Sequence, residues 1–194
     1  AFHRGDGIGL RWLVALLYGW RQNEVLGLTV EALDFTSNLA WMQWQLQALP
    51  YNTPRDKKSG FRVPADFECR QLVDAWHLVR PKSAAGQRWA PIPAVLVAPL
   101  RAQARAAAQI PGGLGLLFCH PDGRPINGKQ DREQWHDLQA TVGVSHPSGR
   151  PWTVHECRNT AASRMRNAGA DEMAQLQLMG HADIKTTQGY QTVS

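Results

Sequence analysis

Basic and proton-transferring side chains recur at a few separated points of this 194-residue chain. His155 and Arg158 stand three residues apart in the stretch TVHECRNTAASRM. On a helix such a pair lies on one face and can address one ligand together. Taken alone, the pair is also typical of an ordinary solvated helix face. The sequence has no second cluster of His or Cys at metal-ligand spacing, so the pair does not indicate a zinc site.

Two further stretches place such side chains beside breaks in the helical pattern. In YGWRQNEVLGL, Arg21 stands at a tight corner and Glu24 follows three residues later. In LMGHADIKTTQGY, His181 follows the helix-ending Gly180, and Tyr190 lies one predicted helix further on. A tyrosine this near the end of the sequence either packs a terminal helix against the core or is delivered to a site elsewhere.

The order Arg, His-x-x-Arg, Gly-His and Tyr resembles the tyrosine recombinases, the phage-integrase and Xer-like family. LLYGWRQNEVLGLTVEALDF is similar to the family's box around its first arginine, HECRNTAASRM to its His-x-x-Arg box, and LQLMGHADIKTTQGYQTV to its final box. The ordered set is specific and spans nearly the entire chain. Three positions depart from the pattern: Asn159 replaces a frequent second histidine, and Thr29-Val30 replace a frequent Arg-Trp.

The family also uses a lysine in a β-hairpin turn between the first arginine and the His-x-x-Arg helix. Lys57-Lys58 in PRDKKSGFRVP and Lys82 in RPKSAAGQRWAPIP compete for this position. The second stretch resembles the family's hairpin, with Ser83 for Thr, Gly86 for Ser, and Arg88 in place. Lys82 is therefore the candidate, and an ordinary turn lysine is the alternative.

The resemblance implies a phosphoryl-transfer site that uses arginines in place of a metal or cofactor. Attack on a DNA phosphodiester builds negative charge on the non-bridging oxygens, and Arg21 and Arg158 would clamp those oxygens. His155 would serve as base or hydrogen-bond partner of the nucleophile. We expect no cofactor and no metal.

The other implied roles concern the nucleophile and the leaving group. Tyr190 would attack the phosphate and form a 3′-phosphotyrosine intermediate with a free 5′ hydroxyl. His181 would donate to a phosphate oxygen, and Lys82 would protonate the departing 5′ oxygen. A second DNA end can then rejoin without ATP. The predicted catalytic residues are Arg21, Lys82, His155, Arg158, His181 and Tyr190.

Composition is compatible with an anionic partner but does not select one. The formal charge is +5, and sixteen of the 21 basic residues are arginine, whose planar fork suits phosphate. The three cysteines, Cys69, Cys119 and Cys157, lack paired spacing and indicate buried thiols in a reducing compartment. The sequence shows neither an apolar run of membrane-spanning length nor a charged-then-apolar leader. We expect a cytoplasmic, nucleoid-associated protein that avoids membranes and binds double-stranded DNA as a homotetramer.

The elements that must position these residues can be outlined from periodicity. Helices are predicted at residues 7–18, in QNEVLGL, after Pro93 with Pro99 near the first turn, and in KQDREQWHDLQATVGV. Residues 38–49 suggest a strand, residues 50–74 an irregular insertion, and WHLVR and RWAPIP a hairpin. Three helices should follow, opened by Thr153, Asp171 and Asp183.

The predicted fold class is α+β, a mainly helical domain with a small antiparallel β-sheet of the tyrosine recombinase catalytic type. Residues 1–194 would form that one domain, and nothing in them matches the family's N-terminal core-binding domain. The expected function is that of a site-specific DNA recombinase or integrase. The alternatives are a non-catalytic DNA-binding regulatory module and a type IB topoisomerase-like enzyme.

Overall fold

A computed structural model of the chain describes residues 8–83 and 86–180, and it confirms the α+β class. In that part of the chain, two α-helices precede the strands of two small antiparallel sheets, and four α-helices follow them. The helices are α1 (Ile8–Tyr18), α2 (Gln22–Leu26), α3 (Ala94–Ala108), α4 (Gly128–Val142), α5 (Val154–Asn167) and α6 (Glu172–Met179). The strands are β1 (Leu33–Asp34), β2 (Leu39–Met42), β3 (Gln45–Ala48), β4 (Cys69–Val73), β5 (Trp76–Val79) and β6 (Arg88–Pro91).

Helix α1 is central to the main core because it is apolar nearly all round. Its sequence IGLRWLVALLY buries side chains on several faces, as expected of a helix enclosed by other elements. It packs most extensively against α5. The same hydrophobic cluster includes residues of β2, β6, α3 and α5. Helix α5, which carries His155 and Arg158, therefore shares one core with α1 and the first sheet.

The two sheets are linked by the consecutive strands β2 and β3, which are separated by only two residues. Segments β2 and β3 follow each other, and β6 pairs antiparallel with β2 while β5 pairs antiparallel with β3. Val79 lies opposite Gln45, and Arg88 lies opposite Met42. Two residues separate Met42 from Gln45, and eight separate Val79 from Arg88. The described residues of that second interval, 80–83 and 86–87, therefore lie outside the strands.

The predicted hairpin of WHLVR with RWAPIP is therefore wrong, although both strands exist. The strands β5 and β6 do not pair with each other but run in the same direction along β3 and β2. Strand β5 instead forms a hairpin with β4, through a turn that contains Asp74, which has a φ of 48°. The turn residues between positions 81 and 87 predicted a change of chain direction. They could not predict the partner strands, which are fixed by contacts between residues remote in sequence.

The insertion at residues 50–74 is only partly irregular. Its first part has no regular strand apart from the single bridge between Tyr51 and Phe61, whose rings stack at 5.0 Å. Its last part, Cys69–Val73, forms β4 at the edge of the second sheet, contrary to the prediction. Most side chains of β4 are exposed, so the apolar alternation that identifies a strand is weak there.

The helical predictions after the sheet hold closely. Thr153 caps α5, where its hydroxyl accepts from the Glu156 amide and the Glu156 carboxylate accepts from the Thr153 amide. Asp171 accepts from the amides of residues 173 and 174 and so opens α6. Pro99 is the sixth residue of α3 and so lies in the second turn, one turn later than predicted. The helix expected from Asp183 lies outside the described residues.

None of the helices in the described part of the chain has both the length and the apolar character needed to cross a membrane.

Candidate active site

The corner between α1 and α2 places Arg21 against the end of α6. Gly19 has a φ of 66°, a left-handed conformation that favours glycine. A Cβ at Gly19 would lie 3.1 Å from the Met179 side chain, 3.2 Å from Ala161 and 3.3 Å from Arg158. Glycine therefore allows the chain to reverse and to pack directly on α5 and α6.

Arg158 on α5 ties this corner to α6. Its guanidinium is nearly fully buried, with 1% of the residue exposed. One terminal nitrogen donates to the Gly19 carbonyl, and the other donates to the Met179 carbonyl at 2.6 Å. A buried cation is tolerated when its donors are satisfied in this way. The two carbonyls fix the position of the guanidinium relative to Arg21 and Gly180.

Arg21 is oriented by the buried carboxylate of Glu24. Glu24 accepts from the Arg21 amide at 3.0 Å and from Arg21 Nη1 at 2.8 Å. The Arg21 side chain is 38% exposed, and its Nη2 lies 3.5 Å from the Gly180 carbonyl. Arg21 thus has one side fixed by protein groups while part of its guanidinium faces solvent.

Glu24 remains ionised although it is 1% exposed. Burial raises the pKa of its carboxyl, but the charges of Arg88 and Arg21 and the hydrogen bonds from Arg21 outweigh burial and hold the pKa below its ordinary value. The negative charge therefore persists at neutral pH and can orient both arginines.

His155 lies on α5 close to both Arg158 and Arg21. Partial desolvation of the ring lowers its pKa, and the charges of Arg158 and Arg21 lower it further. Although its ring is partly desolvated, His155 as a whole residue is exposed to solvent. The imidazole is therefore neutral at pH 7 and can accept a proton.

Lys82 is exposed in the loop between β5 and β6. The base of this loop is closed, because the Gly86 amide donates to the Ser83 carbonyl at 2.9 Å and Gly86 packs on Pro81. The contacts of the described residues do not tie the Lys82 side chain to the group around Arg21 and Gly180. The competing Lys57 pairs with Asp74 at 2.9 Å on the surface of the insertion.

The sequence did not single out Arg88 as a functional residue, although its hairpin pattern contained it. The residue is 8% exposed and contacts three separate elements. Its Nη2 lies 3.3 Å from Glu24 Oε2, Nη1 donates to the Gly86 carbonyl at 3.0 Å, and Nε donates to the Leu178 carbonyl at 2.9 Å.

A second buried network supports the corner from the side of α4. Asp131 accepts from Arg11 Nε, from Trp12 Nε1 at 3.0 Å and from Gln22 Nε2 at 2.6 Å. Gln22 directly follows Arg21 and also donates to the Gly128 carbonyl at 3.0 Å. No sequence pattern indicated this network, since its members lie more than a hundred residues apart.

The structure therefore brings together Arg21, His155 and Arg158 at the end of α6, beside Gly180. His181 and Tyr190 lie outside the described residues. Gly180 has a φ of 65° and ends the helix as predicted. Among the described residues, no group of three or more His, Cys, Asp or Glu side chains is arranged to hold a metal ion.

The chain belongs to the phage integrase family. Residues 6–194 match that family. An integrase of Saccharopolyspora erythraea is 30% identical over 77 residues, covering 40% of this chain and 16% of that protein. Tyrosine recombinase XerC of Lactobacillus delbrueckii subsp. bulgaricus is 34% identical over 83 residues, covering 41% and 26%. The resemblance deduced from the sequence boxes is confirmed.

Solved structures share the fold. XerA recombinase matches with a TM-score of 0.69 at 17% identity, covering 99% of this chain and 56% of that one. The Tn1549 transposon integrase in complex with transposon right end DNA matches with a TM-score of 0.66 at 23% identity, covering 94% and 53%. XerH site-specific recombinase bound to its difH substrate matches with a TM-score of 0.63 at 15% identity, covering 100% and 44%. The chain thus spans about half of these proteins, and its matches cover 16% and 26% of the two curated relatives.

Proposed function

We propose that this chain is the catalytic domain of a site-specific DNA recombinase or integrase that cleaves and rejoins strands through a 3′-phosphotyrosine intermediate. The observation that carries the proposal is the convergence of Arg21, His155 and Arg158 beside Gly180, which immediately precedes His181. Membership of the phage integrase family supports it. So does the fold shared with the Tn1549 integrase and XerH, both solved with DNA.

The two arginines supply positive charge where the transition state develops negative charge. Arg158 is held by two carbonyls and Arg21 by the Glu24 carboxylate, so neither guanidinium must reorganise during the reaction. Arginine stays protonated at any working pH and matches the geometry of phosphate oxygens. In the proposed mechanism this pair takes the place that metal ions occupy in other phosphoryl-transfer enzymes.

Tyr190 is the proposed nucleophile. A free tyrosine has a pKa of about 10, so attack requires a group that removes the phenol proton. Neutral His155 can accept it, since burial and the neighbouring arginines disfavour the imidazolium before the reaction. The new bond joins the Tyr190 oxygen to phosphorus, and the bond from phosphorus to the 5′ oxygen breaks.

The departing 5′ oxygen needs a proton, which Lys82 would supply as general acid. His181 would donate to a non-bridging phosphate oxygen. The covalent link preserves the phosphoester, so a second 5′ hydroxyl can attack it and release Tyr190 without ATP. Strand exchange, rather than hydrolysis, is the expected outcome.

The assembly and the cellular setting are part of the proposal. Exchange between two duplexes needs four cleaved strands, which a homotetramer on double-stranded DNA would provide. Residues 1–194 would form the catalytic domain of each subunit, acting in the cytoplasm at the nucleoid.

A covalent-trapping experiment tests the function without knowledge of the target site. Nicked suicide duplexes of randomised sequence lose the short 5′-hydroxyl fragment after cleavage, so religation is blocked. Adducts that survive denaturing electrophoresis are sequenced, and the modified peptide is identified by mass spectrometry. We expect phosphotyrosine at Tyr190 and no adduct from Tyr190→Phe. DNA binding without any adduct would instead favour the non-catalytic DNA-binding module.

A further inference from the structure

Arg88 stands at the junction of the elements that carry the proposed catalytic groups. It lies on β6, yet its side chain contacts the α1–α2 corner through Glu24, the Lys82 loop through Gly86, and the end of α6 through Leu178. A buried arginine paired with one carboxylate is common in protein cores. The two additional carbonyl contacts are more specific, because each comes from a segment adjoining a proposed catalytic residue.

The contact between Arg88 and Gly86 is made where the Lys82 loop is closed by packing of Gly86 on Pro81. Pro81 and Gly86 touch so closely that a Cβ on Gly86 would lie 2.3 Å from the Pro81 Cβ. The Ser83 carbonyl and the Gly86 amide close the turn at 2.9 Å. Lys82 follows Pro81 directly, so a shift of Gly86 also moves the base from which Lys82 projects. Arg88 Nη1 binds the Gly86 carbonyl at 3.0 Å and so holds that base.

We propose that Arg88 is a positioning residue that sets the Lys82 loop relative to the Arg21 corner, through the bridge Glu24–Arg88–Gly86. This inference rests on the proposed function, since it concerns delivery of the Lys82 proton to the departing oxygen. Arg88 itself touches no reacting atom. Arginine is required because a lysine ammonium can keep the ion pair with Glu24 but cannot span three acceptors in fixed directions.

The test compares two leaving groups on one suicide duplex sequence recovered by the trapping experiment. One duplex carries the natural 5′ oxygen. The other carries a 3′-(4-nitrophenyl) phosphodiester, whose leaving group departs as an anion and needs no general acid. Adduct formation is timed for the wild-type chain, Arg88→Lys and Lys82→Ala. Arg11→Lys is the matched control, because Arg11 is also buried and paired with a buried carboxylate, Asp131.

We expect Arg88→Lys to slow cleavage of the natural duplex about tenfold or more, a share of the roughly 10²–10⁴-fold that general acids contribute. Its rate on the nitrophenyl duplex should change less than about threefold. Arg11→Lys should slow both reactions by the same factor. The double variant Arg88→Lys with Lys82→Ala should be no more selective than Lys82→Ala alone, because both act on one step.

Gly86→Ala is a second variant that disturbs the same contact from the loop side, and it should show the same selectivity. It also carries the test if circular dichroism shows that Arg88→Lys does not fold. Equal loss on the two duplexes, in whichever variant folds, would overturn the inference and leave the proposed function intact. A wild-type chain that yields no adduct in the preceding trapping experiment would contradict the proposed function itself, before the two leaving groups are compared.

Discussion

At the scale of single residues, the site depends on backbone carbonyls as much as on charges. Arg158 and Arg21 both bind carbonyls of the segment that ends α6, and Gly19 supplies another. These neutral carbonyls hold the α1–α2 corner against residues 179–180 without cancelling the positive charge of either guanidinium. The close packing around Gly19 leaves little room for a side chain at this corner.

Gly19→Ala should separate this packing role from simple backbone strain. The left-handed φ makes alanine costly, by about 1 kcal/mol, and the methyl group would also push on Met179, Ala161 and Arg158. Gly143→Ala is the matched control, with a φ of 67° and nothing within 4 Å of its Cβ. We expect both variants to lose stability in thermal melts, Gly19→Ala more than Gly143→Ala, but only Gly19→Ala to lose adduct formation, by more than about tenfold. Equal activity in the two would contradict the role of the corner.

His155 should titrate below its ordinary range in the folded chain. Desolvation and the charges of Arg158 and Arg21 disfavour the imidazolium, so the proton is lost at a lower pH than in a peptide. Arg21→Met removes one of these charges and should raise the pKa of His155, as followed by the imidazole NMR signals. Arg124→Met, which alters an exposed pair with Asp122, should not move it. An unchanged titration in Arg21→Met would show that the two side chains do not interact.

At the scale of elements, α5 depends on its N-terminal cap to present His155 and Arg158. Glu156 accepts from Arg150 at 2.7 Å and 2.9 Å and from the Thr153 amide at 2.7 Å. The hydrogen bond from Arg150 is the largest influence on Glu156, and with the Thr153 contacts it lowers the pKa of the carboxyl to about 2. The ionised form is therefore preferred in the folded state.

Glu156→Gln should reduce the free energy of unfolding at pH 7 by about 1–3 kcal/mol. Because the folded pKa is depressed, the wild-type advantage is fully present above the unfolded pKa of about 4.3. It is lost as pH falls through about 2. Urea melts at several pH values measure the difference between the two proteins. A difference that did not shrink between pH 5 and pH 2 would contradict an electrostatic origin.

The elements also show what local sequence could and could not predict. The start of α5 followed from Thr153 and Glu156, because a capping box is complete within four residues. The partner strands of β5 and β6 could not be predicted in this way, because the turn residues between positions 81 and 87 do not specify which strand each one pairs with. The role of Arg88 was hidden for the same reason: its acceptor Glu24 is 64 residues away.

At the scale of the whole molecule, four distant segments form one site. Residues 19–24, 86–88, 155–158 and 178–180 meet through Arg88 and Arg158, and the same core cluster supports α1, β6 and α5 beneath them. The family patterns marked all four of these segments in the sequence, residues 86–88 as part of the Lys82 hairpin stretch. The contacts that join Arg88 to Glu24 and to Leu178 became visible only in the structure.

DNA affinity measured against salt should show whether the assembled site meets a phosphate. Each phosphate contact by a cation releases counterions, so the slope of log affinity against log salt changes by about 0.9 when one contact is lost. Arg21→Met should reduce the steepness by about that amount, because its half-exposed guanidinium is fixed by Glu24 and faces solvent. Arg124→Met removes the same formal charge from an exposed position paired with Asp122 and should leave the slope unchanged. Fluorescence anisotropy on a labelled duplex measures both variants. Since the slope counts contacts rather than net charge, equal changes in the two variants would indicate a diffuse effect of charge and count against phosphate binding by Arg21.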